Sequence, residues 1–235
     1  MQLFYDKNID KNDTQFTFNK LESKHIVKVL RKKNDDVLFI TNGKGYLFHS
    51  KIVNANDKQC LVEIEKIEKQ ELKLNYKLHI AIAPTKNSQR IEWFLEKATE
   101  IGVTEITLLL CHHSERKVVK MERLVKVIVT AMKQSKRYYL PKLNQVVKFK
   151  SFIVNNSKAD LFIAHCEDFN KNSFKNSLVK GNDITLLIGP EGDFSIDEIN
   201  YALENNFKSV SLGNSILRTE TAGIVAVHSV AYANE

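Results

Sequence analysis

Near the C-terminus, Arg218, Thr219, Glu220 and Thr221 follow one another and run straight into the small, apolar stretch "AGIVAV". A cation, a carboxylate and two hydroxyls can hold a polar ligand. Small apolar residues suit a helix packed closely on its neighbours. Their junction within "LGNSILRTETAGIVAV", residues 212–227, suggests a ligand cradle set against a buried helix. A second stretch, "IGPEGDFS", places Gly189 and Gly192 around Pro190 and Glu191. Glycines permit tight turns and a close approach of backbone to ligand, and the helix opened by Ser195 offers free N–H groups. Simpler accounts exist for both stretches: a structural turn for Gly-Pro-Glu-Gly, and helix capping for Glu220 and Thr221.

Several chemistries are excluded. There is no G-x-x-x-x-G-K-[ST] and no G-x-G-x-x-G after the first strand, which argues against P-loop and ordinary dinucleotide sites. Ser195 lacks the G-x-S-x-G setting of a hydrolase nucleophile. No His/Cys/carboxylate cluster has metal spacing, and His112-His113 reads as RNA-facing or solvated. Cys60, Cys111 and Cys166 are odd in number and far apart, which fits a reducing cytoplasm rather than a disulfide framework. The N-terminus lacks a secretory apolar stretch, and no segment approaches the length of a membrane helix.

The elements that must position these residues fall into two groups. Residues 1–73 read as a small β-barrel: "DDVLFI" and "YLFHSKIV" flank the hairpin signal Asn42-Gly43, and "QCLVEIEKIE" follows. "SKHIVKVLR", residues 23–31, reads as a short basic helix. The boundary is placed within "EKQELKLNYK", so that residues 74–235 form a second domain of alternating strands and helices. There "KLHIAIAP", "VTEITLLL", "ADLFIAHC", "DITLLIG" and "KSVSLG" are strands. Ser88 is expected to cap a helix with Ile91, Phe94, Leu95, Ala98 and Ile101 inward, ended by Gly102. "MERLVKVIVTAMKQSKRYY" is expected to turn Leu124, Val125, Ile128, Val129 and Met132 inward. "SIDE", Ser195–Glu198, is a capping box. The fold class is α/β, with a mostly parallel sheet. Ligands in such sheets bind beyond the carboxyl ends of the strands. If the strands ending in "AHCED", "GPEGDFS" and "GNSILRTETA" are neighbours, the three loops share one rim.

"LLIGPEGDFSIDEI" followed by "VSLGNSILRTETAGIVAV" resembles the SPOUT class of S-adenosylmethionine-dependent RNA methyltransferases. Within it, the chain is most similar to the small-subunit ribosomal RNA methyltransferase E family, which methylates uracil N3 in 16S rRNA. "HIVKVLR", "KNSQRIEWFLEKATEIGV", "HSERKV" and "KQSKRYYLP" resemble its other signatures; Asp193 departs from it, since many relatives carry glycine there. The resemblance implies a C-terminal domain tied in a trefoil knot, an N-terminal PUA-like β-barrel, a homodimer, and S-adenosyl-L-methionine as cofactor with no metal. It implies that the cofactor lies bent among the three rim loops. Its adenine would be held by backbone around Leu212, Gly213, Ile216 and Leu217. His165, Ile188, Gly189, Glu191 and Gly192 would line the other loops, and Arg218, Thr219, Thr221 and Ala222 the helix start.

Methyl transfer to N3 of uracil needs in-line positioning and loss of the N3 proton. Arg218 could stabilise charge on the uracil carbonyls, and Glu191 or Glu220 could accept the proton. N3 is buried in a base pair, so the uridine must be flipped or single-stranded. The net charge of +7 is uneven. Residues 111–142 hold nine basic residues against two acidic ones, whereas residues 181–235 hold eight acidic against two basic. Such asymmetry suggests a polyanion, here the 16S ribosomal RNA of the small subunit. Two basic surfaces are expected, one with His25 and Arg31, the other with Arg116, Lys133, Gln134, Lys136 and Arg137, both making mostly phosphate and shape contacts. The alternatives are a SPOUT ribose 2′-O-methyltransferase and a non-catalytic RNA-binding protein.

Overall fold

A computed structural model describes residues 2–72, 74–155, 159–167 and 170–235. Lys73, at the expected domain boundary, and Asp168, in the "AHCED" loop, lie outside the described residues. The chain forms two compact units: residues 1–73 with 132–140, and residues 74–131 with 141–235.

In the first unit, β1 (Leu3–Tyr5), β3 (Val37–Thr41), β4 (Tyr46–Asn54), β5 (Leu61–Lys69) and β2 (Gln15–Thr17) lie side by side in that order. Register shifts at His49/Ser50 and Ile52/Asn54 mark bulges in the β4–β5 pair, which bend a sheet. The result is a curled half-barrel with β1 and β2 at its edges. Phe4, Phe18, Ile26, Ile40 and Phe48 fill its hollow. The β3–β4 hairpin turns through Gly43 and Gly45, both at positive φ, with Gly45 against the phenol ring of Tyr139. Tyr139 donates its hydroxyl to the Gln70 carbonyl at 2.9 Å, and the Gly45 N–H donates to the Tyr138 carbonyl at 2.8 Å. Those bonds make residues 132–140 part of this unit. The basic helix starts earlier than expected, as α1 (Lys20–Lys24), because Asn19 caps it through the Glu22 N–H at 3.0 Å. It widens to a π-helical turn over His25–Val29.

The second unit holds a seven-stranded sheet whose strand pairings among the described residues are parallel. Its strands are β6 (Leu78–Ile82), β7 (Glu105–Leu110), β8 (Lys142–Lys148), β9 (Asp160–Ala164), β10 (Asn172–Ser173), β11 (Ile184–Ile188) and β12 (Lys208–Ser211). They lie in the order β10-β12-β9-β11-β6-β7-β8. The helices are α2 (Ser88–Ile101), α3 (Met121–Gln134, whose last three residues belong to the first unit), α4 (Phe149–Val154), α5 (Phe174–Ser177), α6 (Ile196–Glu204) and α7 (Thr219–Asn234). Strands β12, β9 and β11 are neighbours, and Ala164 pairs with both Ile188 and Val210. Their carboxyl ends therefore stop level with one another. The capping box at Ser195 and Glu198 is present.

Three local expectations need correction. Asn87, not Ser88, caps α2, because its side chain accepts from the Gln89 N–H and so starts the helix at Ser88. Val125, expected inward, is exposed, since Leu124, Ile128, Ala131 and Met132 complete the buried stripe of α3. Strand β8 and helix α4 were not foreseen; polar residues interrupt the apolar pattern of "KLNQVVK".

Two close contacts hold the rim in place. Helix α7 sits against α2 and β6 at Gly223, where a Cβ would come within 2.6 Å of the Phe94 ring and 3.2 Å of the Ile82 side chain. Asp193 adopts φ +59°, a conformation that Asp tolerates better than most side chains. Its carboxylate accepts from the Phe194 N–H at 2.8 Å and from the Cys166 N–H at 2.6 Å. One side chain thus ties the loop after β11 to the loop after β9. Deeper in the sheet, the Thr107 hydroxyl accepts from Asn144 Nδ2 at 2.8 Å and lies 2.7 Å from His79 Nε2. Its own proton is left for the ring, which suits a neutral imidazole.

Two predictions follow from these contacts. Asp193→Ala removes the carboxylate from both amides and places a Cβ-bearing residue without a local acceptor at positive φ. It should cost about 1–2 kcal/mol of stability in urea unfolding; a loss within error of zero would show that the clamp is idle. Burial holds the His79 pKa below the ordinary histidine value, and it lowers that of His165 too. Below about pH 6.5 the unfolded chain takes up protons that the folded rings resist. The stabilisation is therefore complete above that pH and is lost as pH falls. Melting temperature should drop between pH 7.5 and 5.5, and His79→Gln should drop less; equal drops would remove His79 from the account.

Candidate active site

Beyond the level ends of β9, β11 and β12 lies a cleft of about 390 Å³, within the range of small-molecule sites. The loop after β9 contributes His165 and Cys166, the loop after β11 contributes Ile188 to Glu191, and the loop after β12 contributes Ser211 to Arg218. Thr219 and Ala222, in the first turns of α7, complete one wall. Every residue named for the cofactor from sequence lines this cleft except Gly192 and Thr221. Gly192 instead faces His113, where a Cβ would come within 3.2 Å of the His113 Cβ. His113 also fastens the same loop by placing Nδ1 3.0 Å from the Asp193 carbonyl.

The Ser211 hydroxyl shapes the loop over residues 211–218. Ser211 Oγ donates to the Gly213 carbonyl at 2.8 Å and accepts from the Gly213 N–H at 3.3 Å. Gly213 holds φ +137°, and a Cβ there would meet no protein atom within 4 Å. Ile216 is 86% exposed at the lip of the cleft. Open space at Gly213 beside an uncovered apolar side chain suits a flat heteroaromatic ring. His165 places Nε2 2.9 Å from Ser209 Oγ. Burial, with help from Lys171, keeps its pKa low, so at neutral pH it is an uncharged part of the wall. The donor set therefore fits a nucleoside-bearing ligand. Among the described residues no group of three His, Cys, Asp or Glu could hold a metal ion.

The three catalytic candidates separate. Glu191 lines the large cleft, but its carboxylate also accepts from the Lys86 N–H at 2.9 Å. Arg218 is exposed and lines both this cleft and a second one of about 310 Å³. Glu220 and Thr221 lie in that second cleft, with Asn87, Gln89, Arg90 and Trp93. Arg218 occupies the N-cap position of α7 without a side-chain cap bond. Glu220 is 7% exposed; it pairs only distantly with Arg90 Nε, at 3.7 Å, and its Oε2 has no hydrogen-bond partner among the described residues. The three α2 residues and the cap Asn87 were missed from sequence because the helical period draws attention to buried positions. The signal available was Trp93, the single tryptophan, placed off the apolar stripe.

The RNA candidates regroup. His25, Arg31, Lys133, Gln134, Lys136 and Arg137 all belong to the first unit. His25 and Lys133, far apart in sequence, both approach Glu22, at 3.5 and 3.9 Å. The two expected basic surfaces thus meet around one carboxylate. Arg116 does not join them. It lies in the second unit, where its Nε donates to the Thr85 and Lys86 carbonyls at 3.0 and 3.1 Å.

Comparison with known proteins agrees with this arrangement. Residues 72–231 match an RNA methyltransferase domain and residues 19–73 an RNA methyltransferase PUA domain. The chain is 32% identical to the ribosomal RNA small subunit methyltransferase E of Rickettsia conorii, over 88% of this chain and 85% of that one. It is 30% identical to the protein of that name from Buchnera aphidicola of Acyrthosiphon pisum, over 96% and 90%. A probable rRNA-methyltransferase from Porphyromonas gingivalis superposes with a TM-score of 0.92 at 38% identity, covering 100% of this chain and 98% of that one. A Legionella pneumophila structure with bound S-adenosylmethionine gives 0.89 at 28% identity, covering 99% and 97%. With both domains matched in order and a relative of that name 32% identical over most of both chains, this chain belongs to the ribosomal RNA small subunit methyltransferase E family of RNA methyltransferases.

Proposed function

We propose that this protein methylates N3 of a uridine in 16S ribosomal RNA, with S-adenosylmethionine held in the large cleft. The observation that carries the reading is Arg218, which lines both the nucleoside-fitting cleft and the cleft containing Glu220. Bound S-adenosylmethionine supplies a sulfonium methyl group, taken by the N3 lone pair as the C–S bond breaks and its electron pair returns to sulfur. The loops at 188–191 and 211–218 orient the reacting centres, which must align within roughly 3–3.5 Å. Arg218 steadies negative charge that builds on the uracil carbonyls. Glu220 receives the N3 proton: its carboxylate is under-satisfied, whereas Glu191 is tied to the Lys86 amide.

The remaining parts follow from the same reading. The first unit docks the small-subunit RNA through His25, Arg31, Lys133, Gln134, Lys136 and Arg137, mainly on phosphates. Two copies pair through the outer face of α7, where His228 and Tyr232 are exposed on a helix apolar around much of its circumference. The trefoil knot implied by the family resemblance passes the 211–218 segment through the rim before α7; close packing of α7 at Gly223 supports it. Free cysteines at 60, 111 and 166 fit a reducing cytoplasm. No helix among the described residues is long and apolar enough to cross a membrane.

Mass-spectrometric nucleoside analysis tests the function. Small-subunit RNA incubated with protein and S-adenosylmethionine should gain 3-methyluridine; a 2′-O-methyl nucleoside, or no methylated product, would overturn the assignment. Arg218→Ala should lose about a hundredfold or more in turnover while cofactor affinity stays within about threefold. Near-normal turnover would make Arg218 a shaping residue only. Gly213→Val should abolish cofactor binding in calorimetry, since its side chain would stand in the cleft; undiminished binding would remove the 211–218 loop from the site.

A further inference from the structure

We propose that the second cleft, between the start of α2 and the start of α7, is the pocket for the target base, and that it selects uracil over cytosine. The proposal rests on the methyltransferase reading for its chemistry, but the pocket has its own evidence.

Position comes first. A methyl acceptor must lie against the methyl donor, and this cleft shares Arg218 with the large one. Shape and stacking come next. Trp93 is 44% exposed and sits off the buried stripe of α2, which runs through Ile91, Phe94, Leu95 and Ala98. An exposed indole at a cleft wall offers a flat face to a base, and such stacking is worth about 1–3 kcal/mol per base.

The polar groups supply the selection. Uracil presents acceptor, donor, acceptor along O4, N3–H and O2, so its complement is donor, acceptor, donor. Glu220 is the acceptor. Its side chain is 9% exposed, with one distant ion pair to Arg90 and an Oε2 that lacks any hydrogen-bond partner among the described residues. A buried carboxylate left this way costs free energy, and a donor arriving in the cleft relieves that cost. Donors line the same cleft: Arg90, whose Nε stands 3.7 Å from Glu220 Oε1, Arg218, and the Asn87 amide, whose oxygen is already used by the Gln89 N–H at 2.9 Å. Cytosine reverses two of the three groups. Its N3 would point a lone pair at the Glu220 carboxylate, and its N4 amino group would meet a guanidinium. During transfer the same geometry passes the N3 proton to Glu220 as the new N–C bond forms and the C–S bonding pair returns to sulfur.

Trp93 is the only tryptophan in the chain, so tryptophan emission reports on this cleft alone. The test titrates the protein, with S-adenosylhomocysteine present, with oligouridylate and oligocytidylate of equal length, so that phosphate contacts cancel. Oligouridylate should quench Trp93 and bind at least about tenfold more tightly, the range of one well-made base contact. Glu220→Gln should narrow that ratio, because a carboxamide can donate to cytosine N3, while a purely structural role for Glu220 would leave it unchanged. Equal affinities, or no quenching, in protein that methylates small-subunit RNA would overturn the pocket. So would Trp93→Ala converting a dimer to a monomer in light scattering, which would place the indole between two copies. Uridine-selective quenching in protein that methylates nothing would uphold the pocket and overturn the methyltransferase reading instead.

Discussion

The structure depends on register within a parallel sheet. Ala164 pairs with Ile188 on one side and Val210 on the other, so β9, β11 and β12 end level. Parallel strands put all their carboxyl ends on one side of the sheet. Three loops distant in sequence are thereby forced onto one rim, and the large cleft is the space between them. A slip of one residue in either pairing would turn strand side chains to the opposite face and move a loop along the sheet by about 3.3 Å.

Around that rim the chain spends specific contacts on holding loops still. Asp193 links the loops after β9 and β11 through two amides, and His113 and Ser211 brace the turns beside it. Gly223 lets α7 press against α2, which sets Glu220 and Arg218 next to Asn87, Arg90 and Trp93. Arg218 caps nothing and Glu220 is poorly satisfied. Local comfort is given up at Arg218, which borders both clefts, and at Glu220 in the second, while the surrounding contacts are well made. That distribution is what preorganised sites look like, since charge stabilisation costs least when the dipoles are already in place.

Much of this was legible in the sequence where local chemistry decides. Gly102 ending α2, the Ser195–Glu198 capping box and the Asn42-Gly43 turn each follow from one or two residues. The rim was readable as a condition on neighbouring strands, and the sheet order met it. Less readable was anything set by contact across the chain. Gly192 resembles a ligand glycine in sequence, and nothing there shows that it also lies close against His113. Arg116 sits in a basic run, yet its guanidinium serves the Thr85 and Lys86 carbonyls. The polar side of α2 carries no periodic signal, so the second cleft emerged only when α7 was laid against it.

The central claim is that three loops form one ligand site because their strands end in register. Hydrogen–deuterium exchange with and without S-adenosylmethionine tests it most directly. Amides in residues 164–167, 188–194 and 211–218 should slow together on adding the cofactor, with a common concentration dependence. Protection confined to one loop, or appearing elsewhere with these segments unchanged, would contradict the account.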